Sequence, residues 1–274
     1  MKIILATLPT LYSIYFLNVY LRRDKGSVNT VLVSTKPVVI DKRKITGIAD
    51  TVFLLNRFGL RYFLFLAANQ SLMEKIHQQS KAFESVHDNL WSLDKLAYHF
   101  GFDVITSNNF NSEACIRELS SINSDLVVVN GCDQILKKPF LNAVNKTVNI
   151  HPSFLPDDRG VDPIFQKYLR QAHEVSVSLH EITEAIDEGP LLIQDLHSAQ
   201  KHDSYLQSSM AHGRMASTLL KQYLQNPTEA KSQRAEIQFP YKSWPTKDDL
   251  KIFNKKGLKL ITKQAQQELL SFSV

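Results

Sequence analysis

Short apolar runs alternate along this chain with segments of helical periodicity. Residues 125–130 (DLVVVN) have an apolar middle and a polar end, which is typical of a parallel strand covered on both faces. Residues 175–182 (VSVSLHEI) alternate apolar and polar side chains and predict a strand with one polar face. Ser92 and Ser112 precede helical patterns and are predicted to cap them, and Gly101 is predicted to end the first of these helices. The predicted strands are 1–5, 31–34, 38–40, 103–106, 125–130, 147–150, 175–182 and 191–194, and the predicted helices are 10–21, 51–68, 93–100, 113–122, 135–140 and 203–224.

This alternation predicts an open α/β sheet with helices on both faces. The chain has 274 residues, of which 43% are apolar, so it is long enough for one large domain or one domain with an appendage. Such a domain buries a sizeable core without disulfides or metals.

Charge and cysteine content narrow the class of partner. The formal net charge is +5, but no dense stripe of Lys and Arg accompanies it, so we expect anionic small molecules rather than nucleic acid as partners. The two cysteines, Cys115 and Cys132, form no CxxC motif and no Cys/His cluster. We therefore expect no metal site and a reducing, cytoplasmic location.

Two apolar segments raise the question of a membrane. Residues 3–21 carry no charge, but Pro9 and several polar residues favour a strand, a turn and a helix over a signal peptide or anchor. Residues 51–68 contain Arg57 and Arg61 and are predicted to form an amphipathic helix packed on the sheet. A position on a membrane surface or in a dimer interface is the alternative for this second segment. We expect no stable membrane insertion, and a homodimer remains open.

The candidate chemistry lies in the stretch NIHPSFLPDDRG, residues 149–160. Asn149 and His151 are two apart at the end of a predicted strand, so their side chains share a face beyond its carboxyl end. Asp187 follows the alternating strand in the loop sequence IDEGP. An amide donor, an imidazole and a carboxylate are suited to stabilising an oxyanion and moving a proton. Taken singly, a histidine after a strand is more often a satisfied loop residue, and Asp-Glu-Gly-Pro is an ordinary turn.

The stretch NIHPSFLPDDRG, followed by SLHEITEAIDEGPLLIQ, resembles the folate-dependent formyltransferase family. That family includes glycinamide ribonucleotide formyltransferase and the catalytic domain of methionyl-tRNA formyltransferase. The likeness is strongest over residues 125–194. It implies a Rossmann-like open mixed sheet and 10-formyltetrahydrofolate as the formyl-donating cosubstrate. The catalytic Asn, His and Asp of the family fall on Asn149, His151 and Asp187.

The resemblance also implies a folate pocket and contacts to a formyl acceptor. In the segment GCDQIL, backbone groups of Leu136 would bond the pterin ring, and the turn 183–187 would close over it. Arg159 either holds an anionic substrate or pins its own loop. The implied folate-binding residues are Gln134, Ile135, Leu136, Thr183, Glu184 and Ile186. The candidate substrate-binding residues are Thr10, Asn109, Ser153 and Arg159.

The sequence departs from the family pattern in its first loop and in its ends. The first loop reads ATLPTLYS without a glycine, so a phosphate-cradling loop and a purine-pathway substrate are not expected. Ser176 and Val177 stand where a Gly-x-Thr-like pair usually precedes the residue matched by His180.

We predict a catalytic domain over 1–226 with an insert at 41–88, and a C-terminal α/β extension over 227–274 packed on it. This extension is too short for the tRNA-gripping barrel of methionyl-tRNA formyltransferases.

The leading functional hypothesis is an N-formyltransferase that acts on an amine of a small molecule through a direct tetrahedral intermediate. The acceptor is expected among nucleotide-linked amino sugars or other amines of secondary pathways. Formyltetrahydrofolate deformylase, in which water replaces the amine, is one alternative. A catalytically silent binding module with the same fold is the other.

Overall fold

The computed structural model describes residues 1–81, 89–170, 173–198, 202–233 and 241–272. The end of the predicted insert, 82–88, lies outside the described residues. The strands are β1 (Ile3–Thr7), β2 (Thr30–Ser34), β3 (Val39–Ile40), β4 (Arg43–Lys44), β5 (Asp103–Ser107), β6 (Leu126–Asn130), β7 (Thr147–His151), β8 (Glu174–Glu181) and β9 (Leu191–Ser198). The α-helices are α1 (Leu11–Asn18), α2 (Thr51–Lys81), α3 (Leu93–Phe100), α4 (Glu113–Ile122), α5 (Lys138–Leu141), α6 (Pro163–Arg170), α7 (Tyr205–Gln225), α8 (Lys247–Lys255) and α9 (Lys263–Leu270).

A seven-stranded mixed sheet with the order β5-β2-β1-β6-β7-β8-β9 forms the centre of the fold. The first five strands in this order, β5, β2, β1, β6 and β7, run parallel to one another. Strands β8 and β9 continue the sheet in antiparallel pairing. The chain leaves β1 toward β2 on one side and returns through β6 on the other, so the order reverses between β1 and β6. The predicted Rossmann-like open mixed sheet is confirmed, and its ligand crevice is expected beyond the carboxyl ends of the strands at this reversal.

Apolar side chains alternate between the two faces of the sheet because successive strand residues point to opposite sides. On one face, Leu5, Val128 and Ile150 belong to a buried cluster with Phe16 of α1 and Leu220 of α7. On the other face, a second buried cluster joins the sheet to α4 and α5. Its members include Ile4, Val127, Val129, Leu119 and Phe140. Burial of each such side chain contributes roughly 1.5–3 kcal/mol.

The predicted helix ends agree with the structure at α3 and α4. The side chains of Ser92 and Ser112 accept hydrogen bonds from backbone N–H groups three residues on, and Gly101 adopts a left-handed φ of 69° after α3. The helix predicted over 135–140 begins only at Lys138. The residues before it form no helix, and the amide of Asn111 bonds to the backbone on both sides of Leu136.

The prediction that residues 51–68 pack on the sheet is wrong. α2 extends to Lys81 and breaks at Gly59, whose φ is 76°. Both faces of the sheet are already covered, so the buried side of α2 packs in two clusters with other helices. By length and composition, α2 is the one helix in the described part of the chain that could cross a membrane, and 22% of its most apolar window is buried. A membrane-surface or dimer role for this segment stays a prediction.

The last two helices pack on the helical layer rather than on the sheet. Phe253 of α8 stacks on Phe165 of α6 with ring centroids 5.4 Å apart. Leu269 of α9 is fully buried in a cluster with Tyr15 of α1 and Met210 of α7. The division of the chain at residues 226 and 227 stays a prediction.

Candidate active site

Asn149 and His151 are two residues apart at the carboxyl end of β7, so their side chains lie on the same face of the strand. In the sheet register, Asn149 lies opposite Val129 of β6 and His180 of β8. Because β7 pairs with β8 as well as with β6, polar side chains of β7 and β8 meet near the carboxyl end of β7. His151 is 4% exposed and His180 is 2% exposed, so the chemistry is held away from bulk water.

Asp187 comes to this point from the loop between β8 and β9. Its Oδ1 lies 3.6 Å from Nδ1 of His151 and 3.9 Å from Nε2 of His180. Its Oδ2 accepts a hydrogen bond from the backbone N–H of Gly160 at 3.2 Å. The residue has a left-handed φ of 57°, which is accessible to Asp because its short polar side chain bonds locally. The structure therefore brings Asn149, His151 and Asp187 together around one spot.

The backbone fixes which nitrogen of His151 carries a proton. Nε2 of His151 lies 3.1 Å from the carbonyl oxygen of Asp158, and a carbonyl can only accept. Nε2 therefore donates, and Nδ1 is the nitrogen directed toward Asp187. The separation of 3.6 Å is too long for a direct hydrogen bond and suits a bridging water or an oxygen of a substrate.

His180 orients the amide of Asn149. Nδ1 of His180 lies 2.8 Å from the carbonyl oxygen of Glu181 and must donate to it. Nε2 lies 3.1 Å from Nδ2 of Asn149. Burial, followed by the neighbouring His151, lowers the pKa of His180 to about 4, so its ring is neutral at neutral pH and Nε2 accepts from Asn149. The other hydrogen of that amide is left for a ligand.

Buried polar contacts hold the loop that follows β7. Arg170 makes a two-pronged ion pair with Asp158, whose carbonyl orients His151. Arg159 pairs with Glu188 in the Asp187 loop, and its Nε is buried without a hydrogen-bond partner among the described residues. The hydroxyl of Ser153 is fully buried and donates to the carbonyl of Asp157 at 2.9 Å. Ser153 therefore stabilises the loop from inside.

The segment predicted to bind the pterin ring lies beside the carboxyl end of β6. The side chain of Gln134 is occupied within the protein, since it bonds to the N–H of Phe110 and the hydroxyl of Ser34, both at 2.8 Å. Ile135 is 58% exposed and Leu136 is buried. Among the described residues, no hydrogen bond reaches the backbone N–H or carbonyl of Leu136. Whether these two groups contact a pterin ring stays a prediction.

Asn111, which the sequence did not single out, shapes this segment. Its Nδ2 donates to the carbonyl of Ile135 at 2.9 Å, and its Oδ1 accepts from the N–H of Lys137 at 2.7 Å. The two bonds flank Leu136 and fix its direction. An asparagine in a polar loop between a strand and a helix carries no local signal of such a role.

The turn predicted to close over the ring is exposed. The hydroxyl of Thr183 donates to the carbonyl of Ala185 at 3.2 Å. Glu184 pairs with Lys138 at 3.4 Å, where the carboxylate and ammonium are both well exposed. Ile186 is 41% exposed and offers an apolar surface next to Asp187.

The remaining candidates for substrate contact lie farther along the sheet edge. Thr10 caps α1, and its Oγ1 accepts from the N–H of Ser13 at 3.3 Å. Asn109 follows β5 and accepts from the N–H of Asn111 at 3.1 Å. Since strands are spaced about 4.8 Å apart, four spacings separate β5 from β7 by about 19 Å. The structure thus does not bring Asn109 to the group formed by Asn149, His151 and Asp187.

Neither cysteine takes part in this site. Both are free thiols, and burial raises the pKa of the Cys132 thiol to about 12. Within the described ranges, no cluster of three or more His, Cys, Asp or Glu side chains is arranged to hold a metal ion. The expectation that the protein uses no metal stays a prediction.

The fold and the site define a class of group-transfer protein, and the comparison with known families agrees. The profile of the Formyl transferase family matches residues 21–212, more than half of the chain. The chain therefore belongs to the formyl transferase family.

Curated relatives in this family resemble only part of the chain. A methionyl-tRNA formyltransferase from Finegoldia magna is 36% identical over 105 residues, which are 38% of this chain and 34% of that protein. A formyltetrahydrofolate deformylase from Mycobacterium bovis is 40% identical over 80 residues, which are 29% of this chain and 26% of that protein. The matches thus span about a third or less of the relatives' length.

A solved structure shares the fold over most of the chain. WlaRD, a sugar 3-N-formyl transferase crystallised in the presence of dTDP and 5-N-formyl-tetrahydrofolate, has a TM-score of 0.51. The match covers 89% of this chain and 70% of that one, at 17% identity. At this identity the likeness extends to the fold alone.

Proposed function

We propose that the protein transfers a formyl group from 10-formyltetrahydrofolate to an amine of a small-molecule acceptor. The observation that carries this proposal is the convergence of Asn149, His151 and Asp187, with Asp187 Oδ1 3.6 Å from the imidazole of His151. These are the donor, acid and carboxylate that acyl transfer to an amine needs. Membership of the formyl transferase family supports the same reaction.

The residues beside the trio suit the proposed donor. The backbone of Leu136, without partners in the described part of the chain, matches the hydrogen-bonding edge of a pterin. Exposed Ile135 and Ile186 offer apolar surface for the faces of the ring. When bound, 10-formyltetrahydrofolate supplies the formyl group that is transferred.

The remaining chemistry belongs to the side chains of the trio. Asn149 donates its second amide hydrogen to the formyl oxygen, where negative charge develops as the amine attacks. A protonated His151 donates from Nδ1 to the same oxygen. Asp187 holds that imidazole and, through a water, accepts the proton that the amine releases and passes it to the leaving nitrogen. Neither cysteine is required, because the amine attacks directly.

We infer that the acceptor is a small amine rather than a tRNA. WlaRD, which shares the fold, acts on a sugar, and an amino sugar on a nucleotide carrier is the acceptor class we favour. Arg159 is engaged by Glu188 of the Asp187 loop, so its contact with an anionic acceptor stays a proposal that this ion pair does not favour. The loop after β1 lacks glycine, which disfavours a phosphate cradle there. We further propose that the protein is cytoplasmic, binds no nucleic acid and does not insert into a membrane. A homodimer is compatible with the proposal.

Hydrolysis of the donor is the second candidate. The relative from Mycobacterium bovis, matched over 80 residues, is a formyltetrahydrofolate deformylase. A water held between His151 and Asp187 would then replace the amine as nucleophile. A silent binding module is disfavoured by the assembled trio.

One assay distinguishes a transferase, a hydrolase and a silent binding module. Purified full-length protein is incubated with 10-formyltetrahydrofolate, with and without a panel of amines that includes nucleotide-linked amino sugars. The transferase predicts formylated amine only when an acceptor is present. Formate release without any amine supports the hydrolase, and absence of folate binding in calorimetry supports the silent module.

A further inference from the structure

The C-terminal extension contacts the loop that carries Asp187. Nε2 of Gln233 donates to the carbonyl of Asp187 at 3.1 Å and to the carbonyl of Gly189 at 2.7 Å. Two residues earlier, Lys231 exchanges both backbone hydrogen bonds with Leu191, each at 2.7 Å. The Asp187 loop is thus tied to the extension at its middle and at its end.

The same extension also contacts the loop that follows His151. The N–H of Lys242 donates to the carbonyl of Arg159 at 2.9 Å, and its carbonyl accepts from the N–H of Val161 at 3.0 Å. Gly160 lies between these two bonds, and its own N–H donates to Asp187. Lys242 therefore holds the peptide group that grips the catalytic carboxylate.

The fit at Gly160 leaves no room for a side chain. A Cβ at this position would lie 1.8 Å from the carbonyl oxygen of Lys242, and the residue has a φ of 133°. Real Cβ atoms do not approach backbone this closely, so the extension or the loop would have to move. The close packing shows that Lys242 is seated against the catalytic loop.

Tyr241, directly before Lys242, lies close enough to Asp187 to sense its charge. Burial and the nearby charge of Asp187 raise the pKa of the Tyr241 hydroxyl. Gln233, Tyr241 and Lys242 thus bring three residues of the extension to Asp187 and the loop that carries it. A left-handed Asp is conformationally costly, and the hydrogen bonds that Gln233 donates to the carbonyls of Asp187 and Gly189 offset part of that cost.

We propose that the C-terminal extension completes the active site, and that Gln233 is a positioning residue which holds the Asp187 loop so that the carboxylate reaches His151. Gln233 acts on the backbone and touches no reacting atom. Lys242 does the same for Gly160 from the other side.

A double-mutant cycle tests this inference, which rests on the proposed function only for its kinetic readout. Gln233→Met keeps the length of the side chain and removes both donated bonds. We expect kcat to fall about ten- to a hundredfold with KM for the formyl donor little changed, because the carboxylate is displaced from its partner. In an Asp187→Asn background, we expect the same substitution to cost less than about twofold, since Gln233 acts through Asp187.

Gln207 supplies the matched control. Its Nε2 donates to Glu268 of α9 and its Oε1 accepts from the N–H of Asp203, so Gln207→Met removes two glutamine bonds without touching either loop. We expect kcat of this variant to equal that of the wild type. Equal losses for Gln233→Met in the wild-type and Asp187→Asn backgrounds, or no loss at all, would overturn the inference.

Amide hydrogen exchange gives a readout that needs no activity. In Gln233→Met we expect faster exchange at Gly160 and Leu191, with a Tm lowered by only a few degrees in thermal unfolding. Unchanged exchange at both amides overturns the positioning role even if the protein proves inactive with every amine. Failure of formyl transfer alone, with faster exchange retained, counts against the proposed function and leaves the positioning role standing.

Discussion

At the scale of single residues, the neutral ring of His180 determines what Asn149 can do. A ring with its proton on Nδ1 has an acceptor at Nε2, and that acceptor takes one hydrogen of the Asn149 amide. The amide is thereby held with its nitrogen, not its oxygen, facing the ring of His180. The pKa of His180, lowered to about 4 chiefly by burial, keeps this arrangement across the neutral range.

Replacing His180 tests this orientation. We expect His180→Phe to lower kcat about ten- to a hundredfold, because Asn149 loses its anchor and its donor is misaligned. Asn149→Ala is expected to lose about a hundred- to a thousandfold. In the Asn149→Ala background, His180→Phe should have little further effect in steady-state assays. Full additivity of the two losses would show that His180 acts independently of Asn149.

His212 predicts a pH dependence of stability. It is fully buried in α7, where Nδ1 donates to the carbonyl of Ser208 at 2.8 Å and Nε2 accepts from the N–H of Ser176 at 3.4 Å. Burial lowers the pKa of His212 to about 4 in the folded protein. Between the unfolded pKa of about 6.5 and pH 4, the unfolded chain therefore binds a proton that the folded chain does not.

The free energy of unfolding should consequently fall as pH decreases through this window. The contribution of His212 is about 1.4 kcal/mol per pH unit. We compare urea unfolding of the wild type and His212→Gln from pH 7.5 to pH 4. Because other groups titrate in both proteins, the difference between the curves isolates His212, and the advantage of the wild type should shrink as pH falls. Parallel curves would contradict a neutral buried His212.

At the scale of elements, the loop before α4 determines the shape of the segment after β6. Asn111 bonds to the carbonyl of Ile135 and the N–H of Lys137, and α5 begins at the next residue, Lys138. Leu136 between them is left with two free backbone groups among the described contacts. The shape of the segment proposed to bind the donor is therefore set by a loop from another part of the chain.

We predict that Asn111→Leu weakens donor binding. Loss of two hydrogen bonds, each worth about 0.5–1.5 kcal/mol, should raise the Kd for a folate analogue about tenfold in calorimetry. The effect on kcat at saturating donor should be small. Asn145→Leu is the control, since its amide donates to the carbonyl of Ser124 at the opposite end of the sheet. Equal affinities in both variants would remove Leu136 from the donor site.

At the scale of the whole molecule, the local sequence pattern predicted many of the helices and strands, but it did not predict contacts between segments that are far apart in the chain. The spacing of Asn149 and His151 at a strand end was visible in the sequence, as were the caps at Ser92 and Ser112. The packing of α2 was not, because an amphipathic helix carries no information about whether it covers a sheet or other helices. The contacts of Gln233 with the Asp187 loop bridge residues 44 and 46 apart, and no local pattern encodes them.

The arrangement of the sheet explains why part of the site was nonetheless predictable. Parallel strands bring their carboxyl ends to one edge, so polar residues that end β7 are expected beside the ends of β6 and β1. The antiparallel pairing of β8 with β7 then places His180 beside Asn149 through register. Asp187 is reached only because its loop folds back, and the extension that fastens this loop comes from the far end of the chain.

The measurement that tests the central claim most directly is single-turnover consumption of 10-formyltetrahydrofolate by full-length protein, with and without candidate amines. Wild type is compared with Asp187→Asn and with the Gln207→Met control. We predict amine-dependent release of tetrahydrofolate by the wild type and the control, and a loss of at least about a hundredfold in Asp187→Asn. Equal rates in wild type and Asp187→Asn, or an intact donor with every amine and with water, would contradict formyl transfer at this site.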